Sequence, residues 1–244
     1  MKMKAAWFVP LCLLPALARA QTPSVITMDQ EPHHHLALQN GFVKVFNVEV
    51  EPGDSIVLHR HDQDTVAIAI GEQLVTVGVP GKPDVHQKNA DAQVRLQRSG
   101  YTHSTRVDGE TPYHTVAVEL LHPQTSFHNL CAAILPDQPL NCPAPSEKDS
   151  STQSSLPLLE SKETNVRLVR VAPRQSMTLA SSSSTFLLVV ALDPSAVTSL
   201  SSKEREKALR PGDFVWLEGG SAHAFRNDGD KEARLIEFTL PSLP

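Results

Sequence analysis

Short runs of β-branched and apolar residues, separated by turn residues, restrict how this chain can fold more than any other feature. Turn signals such as Pro52-Gly53, Gly71, Pro80-Gly81 and Asp108-Gly109 lie between the runs. No stretch with a helical hydrophobic period competes with this pattern. It therefore predicts an all-β sandwich or barrel. The predicted strands of the first half are Val43 to Val50, Ser55 to His61, Thr65 to Ile70, Gln73 to Val79, Val94 to Gln97 and His114 to Leu121.

The strand pattern occurs twice. Residues 143–163 are rich in serine and charge, which predicts a linker or long surface loop. After them, a shift of 121 residues lays Pro52 on Pro173, and the apolar residues 66–69 on 187–190. This internal repeat predicts an N-terminal barrel domain over 21–142 and a C-terminal one over 164–244.

The first twenty residues have the features of a secretory signal. Lys2 and Lys4 precede an apolar run from Ala5 to Leu17, and Ala18-Arg19-Ala20 provides the small residues of a cleavage site. We expect cleavage before Gln21 and a secreted or periplasmic protein. The apolar run is too short to span a bilayer, and no later run is long enough.

The charge of the mature chain argues against polyanionic partners. Removing Lys2, Lys4 and Arg19 from the 22 basic residues leaves 19 against 27 acidic ones, a net charge of about −8. An acidic chain of this kind does not attract nucleic acid or anionic membranes. A small-molecule ligand or substrate is the expected partner, and the oligomeric state stays open.

Two cysteines remain after the predicted cleavage, Cys131 and Cys142. In an oxidising compartment such a pair is most simply one disulfide that closes a short loop. A pair of reactive thiols is the alternative, but the spacing differs from a Cys-x-x-Cys redox motif.

A His-x-His pair lies inside one predicted strand. Alternate side chains of a strand point to the same face, so His59 and His61 point the same way and Arg60 points the other way. If the shared face is the interior, two imidazole nitrogens enter one cavity. That is a starting point for binding Zn, Fe, Mn, Ni or Cu, with a third ligand supplied from elsewhere.

The surroundings of this pair resemble the cupin superfamily. Gly53, five residues, His59-x-His61 and an apolar strand ending at Gly71 resemble its first motif, G-x5-H-x-H-x3/4-E-x6-G. The segment from Arg98 to His103 resembles the P-x-G-x2-H core of the second motif, with Arg98 in place of proline and Val107 in place of the final asparagine. The resemblance implies a jelly-roll barrel with His103 as the third metal ligand.

The glutamate ligand of the first motif is missing. Its place falls at Thr65 or Val66, and Asp62, Gln63 or Asp64 in the adjoining turn are alternative substitutes. The sequence does not choose among them.

The second half keeps the second motif and loses the first. Gly212 to Asn227 matches every fixed position except proline, which is Glu218. The 121-residue shift places Ala180 and Ser182 where the first half has His59 and His61. Because a single histidine cannot hold a metal, His223 is predicted to be a structural residue of a degenerate second barrel. The resemblance is thus to a bicupin with one competent site.

Two further groups of histidines have simpler interpretations. Glu31-Pro32-His33-His34-His35 is predicted to be a solvated arm leading into the first strand, in which only His33 and His35 would share a face. His114 begins a strand and is either an acid or base facing the cavity or a hydrogen-bonded residue at the strand end.

Three histidines leave open positions on a divalent first-row transition metal, as catalysis requires. By the resemblance, three-histidine cupin sites imply certain iron-dependent dioxygenases, and four-ligand sites imply oxalate-degrading enzymes or isomerases. The missing glutamate favours a dioxygenase. The alternative is a secreted protein that binds a metal or ligand without turnover.

Overall fold

A computed structural model describes residues 25–131, 133–135, 153–199 and 206–242. Within these ranges the regular structure consists of β-strands and a single 3-10 turn, Met28–Gln30. No helix in these ranges has the length and apolarity needed to cross a membrane. The predicted signal peptide and Cys142 lie outside the described residues, so the cleavage site and the pairing of Cys131 with Cys142 stay predictions.

The first half forms two sheets that face each other as a jelly-roll barrel. One sheet has the strand order β1-β4-β9-β6-β7, and the other has the order β12-β8-β5-β10-β3-β2. The strands are β1 Ile26–Thr27, β2 His34–Gln39, β3 Val43–Val50, β4 Ser55–Arg60, β5 Asp64–Ala69, β6 Gln73–Gly78, β7 Val85–Asn89, β8 Val94–Gln97, β9 Thr102–Val107, β10 Tyr113–Leu120 and β12 Ala133–Leu135.

The second half repeats this barrel. Its sheets have the orders β11-β13-β14-β21-β16-β19 and β15-β20-β17-β18. The strands are β11 His128–Asn129, β13 Gln153–Glu160, β14 Asn165–Val171, β15 Ser176–Ala180, β16 Thr185–Ala191, β17 Ser195–Ser199, β18 Lys207–Leu209, β19 Phe214–Leu217, β20 Ala222–Arg226 and β21 Ala233–Pro241. The prediction of two all-β barrels is confirmed.

One part of the predicted domain organisation needs correction. Residues 153–160, expected within a linker or surface loop, form β13 and pair along β14 as part of the second barrel. β11 lies in the segment assigned to the first domain, yet it pairs with β13. The serine-rich composition of this segment concealed the strand because a strand with one solvated face tolerates polar residues.

The turns of the two barrels repeat even where their residues differ. Gly53 and Arg174 occupy the same turn before β4 and β15, with φ of 84° and 58°. The left-handed backbone conformation is common for glycine and unusual for arginine. Arg174 adopts this conformation, and its side chain is exposed. The turn geometry is thus set by the barrel rather than by the glycine.

The two barrels bury one large apolar core between them. Val66, Ile68 and Val118 of the first barrel share a cluster with Leu188 and Phe238 of the second, all of them fully buried. Because apolar burial stabilises by about 25 cal/mol per Å², an extensive shared core couples the folding of the two halves.

Polar contacts also join the barrels. Arg234 in β21 bonds Asp193 of its own barrel at 2.7 Å and Asp91 of the first barrel at 2.7 Å. His114 lies against Gly212 of the second barrel, so close that a Cβ at Gly212 would lie 2.4 Å from the ring. Glycine is required there both for this approach and for its φ of 89°.

Candidate metal centre

A β-bulge in β4 turns the His-x-His pair into the first barrel. The pairing of β4 with β9 shifts register between Ile56 and His59, and both of these residues are buried although they are three apart. In an unbulged strand, residues three apart point to opposite faces. Val57 and Leu58 together lie opposite a single residue of β9, so β4 has one extra residue at this point. After the bulge, each residue of β4 therefore points to the face opposite to the one it would have in a regular strand. As a result, His59 and His61 point inward, and Arg60 is exposed.

The structure brings the three predicted ligands together. His59 pairs with His103 across β4 and β9, and His59, His61 and His103 are 1%, 2% and 6% exposed. One ligand nitrogen from each residue lies within 4.8 Å of the other two. No other group of at least three histidine, cysteine or acidic side chains in the described ranges meets this criterion.

In each of the three imidazoles, Nδ1 lies beside an oxygen atom. Nδ1 of His59 donates to the carbonyl of Val57 at 2.9 Å, which fixes its tautomer and leaves Nε2 with a lone pair. Nδ1 of His61 and of His103 lies 3.1 Å and 3.3 Å from the hydroxyls of Thr65 and Thr105. Contacts of this kind orient metal-binding histidines.

The Nε2 atoms fit a bound cation. Nε2 of His61 and Nε2 of His103 are 3.0 Å apart, which agrees with the ~3.0 Å between two ligands that are about 2.1 Å from one metal at a right angle. Nε2 of His59 is buried and has no hydrogen-bond partner among the described residues. Closely spaced imidazole lone pairs repel each other unless a proton or a metal cation lies between them. The donor set therefore suits a divalent transition metal.

Burial keeps these imidazoles neutral. It lowers the pKa of His59 to about 4, with a further contribution from the nearby His34. Burial, followed by the charge of His59, lowers the pKa values of His61 and His103 well below the usual 6.5. Neutral imidazole is the form that coordinates a metal.

None of the four candidate substitutes for the missing glutamate reaches the centre as a ligand. Asp62 is exposed and pairs with Arg60 at 2.7 Å. Asp64 is buried but accepts the backbone N–H of Ser99 at 2.8 Å. Thr65 contacts Nδ1 of His61, on the other side of the ring from Nε2, and it does not line the cavity. Gln63 contacts Thr65 through its backbone oxygen at 3.3 Å.

Three further side chains lie at the centre. Tyr101 and Tyr113 were candidates from the sequence, either for the rim of the pocket or for packing, whereas Gln97 was not predicted. The amide of Gln97 lies 3.3 Å from Nε2 of His103. The ring of Tyr101 stacks on His103 with a centroid distance of 4.8 Å. Tyr113 is buried on the same cavity wall. Their inward direction follows from strand register, which one sequence does not reveal.

The histidine-rich arm is packed rather than solvated, which corrects the sequence interpretation. Met28 and Glu31 are both 2% exposed, and the side chain of His34 is 5% exposed. The ring of His34 lies 4.9 Å from that of His59. Among the three histidines of the arm only His35, at the outer face, is exposed as expected, and Pro32 is exposed as well.

Glu31 carries a buried negative charge. Burial alone would raise its pKa, but the hydrogen bond and charge of His34, with further bonds from His33, outweigh it and hold the pKa at about 2. The carboxylate also accepts the N–H of Val57, the bulge residue, at 3.2 Å. The arm thus satisfies a backbone group that the bulge leaves without a strand partner.

The cavity at this centre is small. It has a volume of about 20 Å³ and is lined by His34 and the three predicted ligands, room for about one water or ion. His114 is not among its lining residues. Its Nε2 instead bonds Asn47 at 2.9 Å, which matches the alternative of a hydrogen-bonded strand-end histidine.

Among the described residues of the second barrel, the corresponding place holds no group of three potential metal ligands. Leu179 faces His223 across β15 and β20 as His59 faces His103. Ser181 donates to the carbonyl of Ser221 as His61 does to that of Tyr101. The counterparts are therefore Leu179 and Ser181, one residue before the predicted Ala180 and Ser182, because β15 pairs without the extra residue of β4.

The second barrel also differs in its open volume. A cavity of about 470 Å³ is lined by Ser181, Leu187, Arg167 and Glu237. Arg167 bonds the buried Glu237 at 2.8 Å, an ion pair that has no equivalent at the three-histidine centre.

Comparison with known proteins identifies the fold. No family model matches the chain, and no curated protein does either. A cupin 2 conserved barrel domain protein from Leptotrichia buccalis matches with a TM-score of 0.53 and 8% identity, over 84% of this chain and 86% of that one. The chain has the two-barrel cupin fold. Its strand order agrees with that architecture.

Two enzymes share this cupin fold. A salicylate 1,2-dioxygenase from Pseudoaminobacter salicylatoxidans, with gentisate, matches with a TM-score of 0.55 and 10% identity, over 81% of this chain and 68% of that one. An oxalate decarboxylase matches with a TM-score of 0.52 and 14% identity, over 90% and 77%. At such identities the likeness shows a shared fold and does not assign a reaction.

Proposed function

We propose that this chain is a metal-binding bicupin that acts on a small molecule at one divalent transition-metal centre held by His59, His61 and His103. The observation that carries the proposal is the convergence of three buried Nε2 atoms, each on an imidazole whose Nδ1 lies beside an oxygen. A metal bound there supplies Lewis acidity and open positions for ligands.

The chain's own residues hold and shield the centre. Val57, Thr65 and Thr105 orient the three imidazoles. The stacked ring of Tyr101 covers one side of His103, and Met28 packs over Thr65 at 3.7 Å. These apolar surfaces exclude water, which strengthens electrostatic interactions inside the barrel.

We propose a dioxygenase as the reaction class. The support is a ligand set of histidines without a carboxylate, together with the shared fold of a salicylate dioxygenase.

A buried positive charge, that of Arg95, favours an anionic substrate such as a carboxylate. Arg95 is 5% exposed, its Nε has no partner among the described residues, and its positive charge acts on His103. A buried cation of this kind attracts an anion.

A second candidate function is metal binding without turnover. The specific observation in its favour is the cavity of about 20 Å³, which admits an ion but no organic substrate unless the arm or Tyr101 moves. For either function we propose a secreted or periplasmic location, on the sequence of residues 1–20.

Oxygen uptake by the metal-loaded mature protein tests the reaction class. We expect uptake with one or more members of a panel of aromatic and aliphatic carboxylates, and loss of that uptake after chelation and in His103→Ala. His223→Ala is the matched control, because it changes the corresponding histidine of the second barrel. A full metal complement with no uptake across the panel would contradict the dioxygenase and support the binding function.

A further inference from the structure

The arm that precedes β2 contacts the metal centre directly. Ile26 and Thr27 form β1 and pair in parallel with His59 and Arg60 of β4. The chain then turns at Met28, which is buried, and re-enters the barrel as β2 at His34. The arm thus pairs with the strand that carries the His-x-His pair through β1, and it joins the facing sheet, beside β3, through β2.

The side chain of Glu31 ties the arm to this strand. One carboxylate oxygen lies 2.7 Å from Nδ1 of His34 and accepts the N–H of His33 at 2.8 Å. The other accepts the N–H of Val57 at 3.2 Å and lies 3.3 Å from Nδ1 of His33. Val57 in turn accepts the proton of His59 Nδ1. A single buried carboxylate therefore connects His34 to the backbone that orients His59.

His34 has the same local arrangement as the three predicted ligands. Its side chain is 5% exposed, its ring contacts that of His59, and it lines the same cavity. Its Nδ1 is held by an oxygen, as in the other three. Pairing of one ring nitrogen with a carboxylate is typical of metal-binding histidines, which bind the metal through the other nitrogen.

We propose that His34 is a fourth protein ligand of the metal and that Glu31 positions it. The inference rests on the metal centre proposed above. His34 is not among the side chains whose ligand nitrogens all lie within 4.8 Å of one another, so its imidazole moves towards the other three when the metal binds. In the metal-bound form His34, which lies on β2, takes the place of the glutamate that is missing from the first motif.

The test uses the full mature protein loaded with Cu²⁺ or Zn²⁺. Pulsed EPR of the Cu²⁺ form counts coordinated histidine nitrogens, and we expect four in the wild type and three in His34→Ala. Zn²⁺ affinity, measured by chelator competition, should fall about 100-fold in His34→Ala and about tenfold in Glu31→Gln. His35→Ala, an exposed neighbour on the same strand, should change neither value.

The outcomes separate this inference from the proposed function. Three nitrogens in the wild type, a count that needs no variant to fold, would overturn the fourth ligand and leave the three-histidine centre intact. Unchanged Zn²⁺ affinity in His34→Ala would do the same. Failure of the wild type to bind either metal would overturn the centre itself.

Discussion

The two barrels share a core strand order, and the difference that bears on the histidine cluster lies in β4 and β15. In the first barrel a bulge turns His59 and His61 inward to meet His103, around a cavity of about 20 Å³. In the second, the strand pairs without that extra residue and Leu179 faces His223, while a cavity of about 470 Å³ lies beside Ser181 and Leu187. One inserted residue and two side chains thus separate the cluster of three histidines from its counterpart in the second barrel.

The comparison also explains why the second motif persists where no ligand set does. Gly220 supplies a left-handed turn with φ of 76°, as Gly100 does with 86°. Asn227 is buried, and its amide donates to the carbonyls of Val171 and Lys231. The motif therefore closes a barrel corner whether or not its histidine binds a metal.

The largest expected effect is on metal content. Replacing His59, His61 or His103 by alanine removes one of the three buried nitrogens, and we expect affinity to fall by at least ~100-fold, with the fold retained. His223→Ala should leave metal content unchanged. Metal analysis of the four purified variants makes the measurement, and equal loss from His223→Ala would reverse the assignment of the two barrels.

The next effect concerns the shared core. Phe238 is fully buried between the barrels, so Phe238→Ala should cost about 3–5 kcal/mol of unfolding free energy. Because the core is common, both barrels should lose stability together in one transition. Urea unfolding followed by circular dichroism measures this, with the exposed Leu74→Ala as control. Two separate transitions, only one of them shifted, would show that the barrels fold independently.

A smaller effect tests the structural role of the second motif. Asn227→Ala leaves three carbonyls, those of Val171, Ala172 and Lys231, without this donor and should cost about 1–3 kcal/mol, with no change in metal content. Asn165→Ala, at an exposed position of the same barrel, is the control. Thermal melting of both variants, alongside metal analysis, measures the difference. A loss of metal in Asn227→Ala would mean that the second barrel contributes to the centre.

The smallest expected effect depends on pH. Burial opposes ionisation of Asp193, but its bonds to Arg234 outweigh burial and lower its pKa below the usual 3.8. The ionised form therefore stabilises the fold above about pH 4, and this contribution disappears as the pH falls through the lowered pKa. Asp193→Asn should cost about 1 kcal/mol at pH 7, with the deficit shrinking below pH 4.

Unfolding free energies of the Asp193 variant between pH 3 and 7 make this measurement. Asp230→Asn, which removes an exposed partner of Arg174, is the control and should show no such trend. A deficit in Asp193→Asn that is constant over the whole range would contradict the pairing with Arg234.

Much of the fold was predictable from the sequence because its signals are local. Strand length, alternation and turn residues such as Gly53 and Gly71 predicted the all-β class, and the repeat predicted two barrels. The β13 strand was not predicted, because its polar composition is also typical of a loop. The one-residue error in aligning Ala180 and Ser182 arose because a bulge changes register without changing composition.

The centre was predicted in part. His59, His61 and His103 were found from spacing and resemblance, and the structure brings them together. Glu31, His34 and Gln97 were not found, because their position depends on contacts between distant segments. The run His33-His34-His35 carried a signal, yet only tertiary packing shows that its middle residue points inward.

Anomalous diffraction from crystals of the metal-loaded protein tests the central claim most directly. We expect one strong peak per chain inside the first barrel, about 2.0–2.2 Å from Nε2 of His59, His61 and His103. The space beside His223 should show no peak. A peak of equal strength in the second barrel, or none at the three histidines of a protein that retains bound metal, would contradict the account.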